Sequence, residues 1–155
     1  MNSKGRLVGI DYDVDLLQEA KNVFADNQVQ NVLLANSDAL TLPFGDKTFD
    51  NIFFLNTLMN IPADTTVRLF LCEFIRVCRP GGRVFVDFRN AANPYFRFRY
   101  WWHNLRADFT TRAYHLSQIR GLFAAGGFEF VGKWPIGPRL PLGHFAYLLE
   151  AKRPG

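Results

Sequence analysis

Strand-like apolar runs alternate with helical spacing along most of the chain. Arg6 to Asp11 is the first such run. Asp13 then caps a helix of about Val14 to Ala25, in which Leu16, Leu17, Ala20 and Phe24 share a face. Asp15 sits in its first turn, where the helix dipole favours a negative charge, and Gln18, Glu19 and Lys21 mark the outer face. A second strand covers Asn31 to Ala35, and a third, Asn51 to Leu55, follows the turn Pro43-Phe44-Gly45-Asp46. These strands are apolar throughout. A solvated face would leave strict alternation, so the pattern predicts a mostly parallel sheet covered on both faces.

The longest helical signal, Thr65 to Cys78, aligns Val67, Leu71, Phe74 and Cys78, and Pro80-Gly81-Gly82 is expected to stop it. A fourth strand, Arg83 to Phe88, follows at once. From Pro94 to Arg112, Tyr95, Phe98, Trp102, Leu105 and Phe109 recur on one side while Arg99, His103 and Arg106 lie away from them, which predicts an amphipathic helix. A short helix around Leu116 to Ala125 ends at Gly126-Gly127, and two closing strands, Phe128 to Trp134 and His144 to Ala151, flank a Pro/Gly-rich loop. This alternation specifies an α/β fold, and without repeats or linkers residues 1–155 are expected to form one domain.

Composition narrows the picture a little. With 48% apolar residues in 155, the chain can bury a single core. A net charge of +4 is too small an excess to favour nucleic acid as a partner. Cys72 and Cys78, six residues apart on the expected helix, offer no disulfide or metal-site spacing. No signal pattern or membrane-length apolar run is found, so the expected location is the cytoplasm.

Ligands of open parallel sheets sit beyond the carboxyl ends of the strands, and three ends carry polar groups. Asp11, in Gly9-Ile10-Asp11-Tyr12, is placed to accept from both hydroxyls of a ribose, or equally to assist the cap of the next helix. Ser37-Asp38-Ala39, before Leu42-Pro43-Phe44, offers a carboxylate to an adenine amino group and a backbone N–H to a ring nitrogen, or is an ordinary polar turn. The strand from Phe49-Asp50 opens into Leu55-Asn56-Thr57, at the edge of a site or simply past a core strand.

Together with Arg76-Val77-Cys78-Arg79-Pro80-Gly81-Gly82-Arg83, the order and spacing of these three segments resemble class I S-adenosylmethionine-dependent methyltransferases. In that family a segment like Val8-Gly9-Ile10-Asp11 ends the second strand, one like Asp38 to Phe44 follows the third, and one like Phe49-Asp50 opens the fourth. The Arg-Pro-Gly-Gly turn leads into their fifth strand, and Ala125-Gly126-Gly127-Phe128 resembles their last helix-to-strand junction. The resemblance spans nearly the whole chain apart from Asn90 to Tyr114. It implies a Rossmann-like sheet, mostly parallel, with a C-terminal antiparallel strand. It further implies that Asp11 binds the ribose hydroxyls, Tyr12 lies against the adenine, Asp38 and the Ala39 amide read the adenine edge, and Leu55 and Asn56 border the methionine moiety.

Two departures stand out. The family's first strand ends in an acid followed by closely spaced glycines that admit the cofactor to a helix N-terminus. No such motif precedes Arg6 and no Gly-x-Gly occurs elsewhere, so an N-terminally truncated form of the fold is expected. In the family's order the strand in question lies between those ending here at Asp11 and Leu55. Both would keep unpaired edges, which predicts a shortened sheet or a homo-oligomer through the open edge. Secondly, Met59-Asn60 stands where many relatives have a His-His or similar pair, so no catalytic base is identified.

The resemblance makes residues of about 90–114 a lid-like insertion over the acceptor pocket. A second reading is a surface helix on anionic lipid, with Trp101 and Trp102 at the interface and arginines toward headgroups. The expected function is methyl transfer from S-adenosylmethionine to a small-molecule or lipid-like acceptor. The alternative is an inactive interaction or oligomerisation module. No metal is expected.

Overall fold

In the computed structural model, residues 5–61, 63–106, 110–140 and 143–155 are described, and the chain divides into two units at Pro43. The first unit contains strand β1 (Leu7–Asp11), helix α1 (Val14–Asp26) and strand β2 (Val32–Asn36). β1 and β2 pair in parallel, from Leu7 opposite Val32 to Asp11 opposite Asn36. The Asp13 carboxylate accepts from the N–H groups of Asp15 and Leu16 at 2.9 and 3.2 Å, the cap expected from the sequence. Leu17, Ala20 and Phe24 form the half-buried face of α1, whereas Leu16 is exposed.

The second unit contains β3 (Phe49–Phe54), a 3-10 turn (Leu58–Asn60), α2 (Asp64–Val77), β4 (Cys78–Arg89), α3 (Pro94–Asn104), α4 (Leu116–Ala125), β5 (Glu129–Leu140) and β6 (Gly143–Lys152). Its sheet runs β3-β4-β6-β5. β3 and β4 are parallel, and β6 is antiparallel to both of its neighbours, so β5 shares the direction of β3 and β4. This is the α/β arrangement with one reversed C-terminal strand that the sequence predicts. Among the described residues β1 pairs only with β2 and β3 only with β4, so each keeps an unpaired edge.

The core of this unit joins Val67, Leu71, Phe74 and Val77 of α2 and Ile119, Leu122 and Phe123 of α4 to Val84, Val86 and Phe88 of β4 and Leu149 and Ala151 of β6. All are nearly inaccessible, and full burial of a Leu, Val or Phe side chain contributes about 1.5–3 kcal/mol. On the opposite face Phe53 and Phe85 stack at 4.9 Å, and Phe53 stays 58% exposed. The covering expected on both faces is thus found on one face of this unit. Phe54 of β3 packs against the Phe70 and Phe74 rings of α2, whereas Phe53 pairs with a ring on the neighbouring strand.

Three boundaries differ from the sequence reading. α2 ends before Cys78, which is already extended and opens β4, because Arg153 donates to the carbonyl oxygens of Ile75 and Cys78 and holds the helix end there. Cys78 is therefore a buried strand residue and Cys72 an exposed helix residue, both free thiols. Pro80-Gly81-Gly82 forms an irregularity inside the paired strand, between Phe49 opposite Cys78 and Asn51 opposite Arg83. The Pro/Gly stretch after Trp134 continues as β5, with Pro135 opposite Tyr147; β5 has a single neighbour, so the missing proline N–H breaks no central ladder.

α3 is also shorter than expected. Asn93 caps it by accepting from the Tyr95 N–H at 3.0 Å, and Pro94 opens its first turn. The predicted stripe does not face inward: Phe98 is 66% and Leu105 63% exposed, and Tyr95 and Trp102 are half-exposed. Phe96, one position away, is buried instead, because its ring packs 4.3 Å from that of Phe145 on β6 and fixes the rotation of the helix. Phe109 lies outside the described residues.

The glycine at 82 is required by space. A Cβ there would lie 2.6 Å from Cys78 Sγ, 2.8 Å from the Arg79 carbonyl oxygen and 2.9 Å from that of Asp50. Gly82→Ala is expected to destabilise the protein by about 1–3 kcal/mol in urea titration. Gly121→Ala, on α4 with nothing within 4 Å, is expected to stabilise it by up to about 1 kcal/mol. Equal midpoints for the two variants would contradict this account of the bulge.

Candidate functional site

Parallel pairing of β1 with β2 brings the four predicted adenosine-binding residues to one end of the first unit. Asp11 accepts from the Asp13 N–H through Oδ1 at 2.9 Å, so the cap-assisting role exists; its Oδ2 has no partner among the described residues. Asn36 Nδ2 donates to the carbonyl oxygens of Asp11 and Tyr12 at 3.2 and 2.9 Å and ties the two strand ends together. The Tyr12 ring is 83% exposed. Asp38 accepts from the Leu40 N–H at 2.8 Å and the Asp38 carbonyl from the Thr41 N–H at 3.1 Å, a tight turn that carries Ala39 between them.

In the second unit Leu55 and Asn56 follow β3. Asn56 has φ +57°, a left-handed conformation that asparagine tolerates better than most residues. This turns its N–H onto Asp87 Oδ1 at 2.5 Å, while Asp87 Oδ2 accepts from Arg89 Nη1 at 3.0 Å and Arg89 Nη2 donates to Asn56 Oδ1 at 3.2 Å. The three side chains close a ring that fastens the end of β3 to the end of β4. Asp87 and Arg89 were not singled out from the sequence. Their signal is the alternation of Val84, Val86 and Phe88 with Asp87 and Arg89, which puts a charged pair on the opposite face of an otherwise apolar strand.

Beyond Arg89 lies a cleft of about 880 Å³ lined by α3, the 3-10 turn and β6. Tyr95, Phe96, Tyr100, Trp102 and Phe145 supply its rings, and Arg89, Arg99, His103 and Arg106 its basic groups. Arg99 Nη1 donates to the Tyr95 hydroxyl at 3.3 Å, and the Arg106 guanidinium lies 3.8 Å over the Trp102 ring. The Tyr100 hydroxyl donates to Met59 Sδ at 3.6 Å. Burial pushes its pKa up, against the pull of Arg89, so it stays a protonated donor at neutral pH. Below, the buried Tyr114 donates to the Ile61 carbonyl at 3.1 Å and Arg112 pairs with Asp64 at 3.0 Å, anchoring the chain that follows the lid-like helix.

Met59 and Asn60, where the family resemblance placed a histidine pair, do line this cleft. A histidine reaches it from another element. His103 Nδ1 lies 3.4 Å from Asn104 Oδ1 and 3.5 Å from Thr111 Oγ1, and the Asn104 amide is itself held by the Thr111 backbone at 2.8 and 3.1 Å. Sequence spacing set His103 off the aromatic stripe without giving it a role. It becomes a cleft residue because Phe96, not the stripe, points to the core.

Residues 1–86 match the family model described as a methyltransferase domain. The demethylmenaquinone methyltransferase of Geobacillus sp. (strain WCH70) is 34% identical over 103 residues, 61% of this chain and 43% of that protein. The chain thus spans less than half the length of this curated relative. The crystal structure of a SAM-dependent methyltransferase from Methanosarcina mazei superposes with a TM-score of 0.80 at 15% identity, covering 95% of this chain and 81% of that one. That of the magnesium protoporphyrin IX methyltransferase from Synechocystis PCC 6803 with bound SAH gives 0.75 at 15% identity, covering 96% and 64%. These likenesses bear out the expected Rossmann-like fold and, by family, the expected cofactor S-adenosylmethionine.

The ring of Asn56, Asp87 and Arg89 yields a direct test. Asp87→Ala leaves the Asn56 N–H and the Arg89 guanidinium without their acceptor, and is expected to cost about 1–3 kcal/mol in thermal or urea unfolding. Amide hydrogen exchange at Asn56 should accelerate; unchanged exchange there would show that Asp87 does not hold the strand end.

Proposed function

This chain belongs to the methyltransferase domain family, and we propose that it serves the transfer of a methyl group from S-adenosylmethionine to a small, flat, hydroxyl-bearing ring. The carrying observation is the cleft, where ring faces meet a histidine and a protonated phenol. Its relatives among demethylmenaquinone methyltransferases support a ring of quinol type. They favour this reading over an inactive interaction module.

The residues of the first unit fit the donor's adenosine. Asp11 keeps one carboxylate oxygen free for the ribose hydroxyls, the exposed Tyr12 ring offers the adenine a flat surface, and the turn at Asp38 presents its carboxylate and the Ala39 amide to the adenine edge. Leu55 would border the methionine part; the Asn56 side chain is already engaged by Arg89, which leaves its backbone for that role. When bound, the donor supplies a methyl group activated on a sulfonium sulfur. The chain's own residues hold the acceptor and manage its proton. The aromatic walls orient the ring, Tyr100 donates a hydrogen bond, and His103, whose Nδ1 faces Asn104 and Thr111, takes the hydroxyl proton. The segment of about 90–114 acts as the lid of this cleft.

Calorimetric titration with S-adenosylhomocysteine is expected to show micromolar binding that Asp11→Ala weakens at least about tenfold, a loss of 1.4 kcal/mol. No heat with the intact chain would overturn the donor assignment. In a methyl-transfer assay with a naphthol, His103→Gln should lower kcat on the order of a hundredfold while leaving the S-adenosylhomocysteine affinity unchanged.

A second feature favours a lipid-like acceptor taken from a membrane surface. The rings of Phe98 and Trp101 lie 6.0 Å apart on the outer side of α3, beside the exposed Leu105, and each is 6.3 to 6.4 Å from Trp102 at the edge of the cleft. Arg97 flanks them, and no Asp or Glu occurs from Phe88 to Ala107. Such a ridge fits the interface of an anionic bilayer, with rings among the acyl boundary and guanidiniums at the phosphates. Among the described residues no helix is long and apolar enough to cross a membrane, so contact would be peripheral. The chain should sediment with phosphatidylserine vesicles but not with phosphatidylcholine vesicles, and a Phe98→Ser, Trp101→Ser double variant should stay in solution. Equal partition of wild type and variant would sink this reading.

A further inference from the structure

The cleft carries more positive charge than methyl transfer to a neutral phenol requires. Of its three arginines, Arg89 is matched by Asp87. Among the described residues Arg99 and Arg106 have no carboxylate within ion-pair distance and no Asp or Glu lines the cleft. Arg99 and His103 are one turn apart on α3, and Arg106, just past its end, lines the same cleft. The cleft is therefore electropositive and ring-lined at once, with Arg99 on Tyr95, Arg106 over Trp102, and Phe96, Tyr100 and Phe145 as its other rings.

How the guanidiniums are held tells which anion suits them. The Arg106 guanidinium lies 3.8 Å over the indole of Trp102, and a guanidinium seated on a ring keeps N–H donors in a fork suited to a carboxylate. Arg99 uses one N–H on the Tyr95 hydroxyl, which positions it with further donors unused. A free inorganic anion would make no use of the ring-lined wall formed by Tyr95, Trp102 and Phe145. A headgroup bound from a bilayer would meet the outer ridge and Arg97 first. The rings and the guanidiniums are served at once by one molecule that has a flat ring and an anionic substituent on it.

We infer that the acceptor is a hydroxyaryl carboxylate, with its carboxylate read by Arg99 and Arg106 and its ring held against the aromatic wall. This rests on the reading of the cleft as the acceptor site, and it goes further by assigning the charge of the acceptor and the residues that select it. Arg89, already neutralised, contributes position and not selectivity.

Calorimetry with hydroxynaphthoate and with naphthol, each without any methyl donor, tests this. Hydroxynaphthoate is expected to bind about tenfold tighter or more, the ratio that 1.4 kcal/mol sets. Arg99→Gln and Arg106→Gln should each move that ratio toward one by weakening hydroxynaphthoate alone, while Arg68→Gln, exposed on α2 and outside the cleft, leaves it unchanged. Equal affinity for the two probes, no binding of either by a folded chain, or a ratio unmoved by both cleft variants would overturn the inference. So would displacement of hydroxynaphthoate by short-chain phosphatidylglycerol at equal concentration, which would assign the arginines to a lipid headgroup. The S-adenosylhomocysteine titration is independent of these probes. Donor binding without probe discrimination would leave the methyltransferase reading standing and remove this one, and the converse would do the reverse.

Discussion

The larger unit depends on β4 being hydrogen-bonded along both edges. A buried strand cannot leave its N–H and C=O groups unpaired without a cost comparable to a lost hydrogen bond for each. β3 on one side and β6 on the other satisfy that demand, and the pairing fixes which residues emerge where the strand ends. Val84, Val86 and Phe88 fall on the face packed by helices, so Asp87 and Arg89 fall on the other. The same strand continues into Asn90, whose amide nitrogen donates to the His144 carbonyl and whose backbone bridges to Tyr114. The lid-like helix and the chain that returns from it are thus both tied to the end of one strand.

Asp87 converts this backbone constraint into site geometry. A half-buried arginine with no anion would be costly, and Asp87 and the Asn56 amide oxygen remove that cost while holding the guanidinium at the mouth of the cleft. Closing this ring also draws the chain after β3 into its left-handed turn at Asn56. The open edges of β1 and β3 are the converse case. There the same polar groups lack strand partners among the described residues, and any neighbour that supplies a strand would gain a ladder of hydrogen bonds on each.

The strand and helix order was legible because the apolar period changes cleanly at each element. The boundaries of α4 were legible too, since Gly126-Gly127 admits no continuation of the helix. The end of α2 was not, because the group that fixes it is Arg153, far along the chain, and no local pattern announces it. Nor was the continuation of β5 through its prolines, which turns on its being an edge strand. For the candidate site, the strand-end places of Asp11 and of the turn at Asp38 and Ala39 were legible in the sequence. Asp87, Arg89 and His103 were hidden, since each acquires its place through a tertiary contact.

α3 shows why periodicity misjudged its own best signal. Tyr95, Phe98, Trp102 and Leu105 form the more regular apolar stripe, and a helix lying on a core would turn that stripe inward. The rotation is set instead by a single ring, Phe96 against Phe145, and one buried aromatic contact outweighs several exposed ones because only it removes its full area from water. The remaining aromatics are then divided. Tyr95 and Trp102 stay at the cleft, where they hold Arg99 and Arg106, while Phe98, Trp101 and Leu105 stand outward. A helix that only covered a core would not keep so much apolar surface in water, so α3 carries two distinct surfaces: guanidinium-bearing rings at the cleft and bare exposed rings outside it.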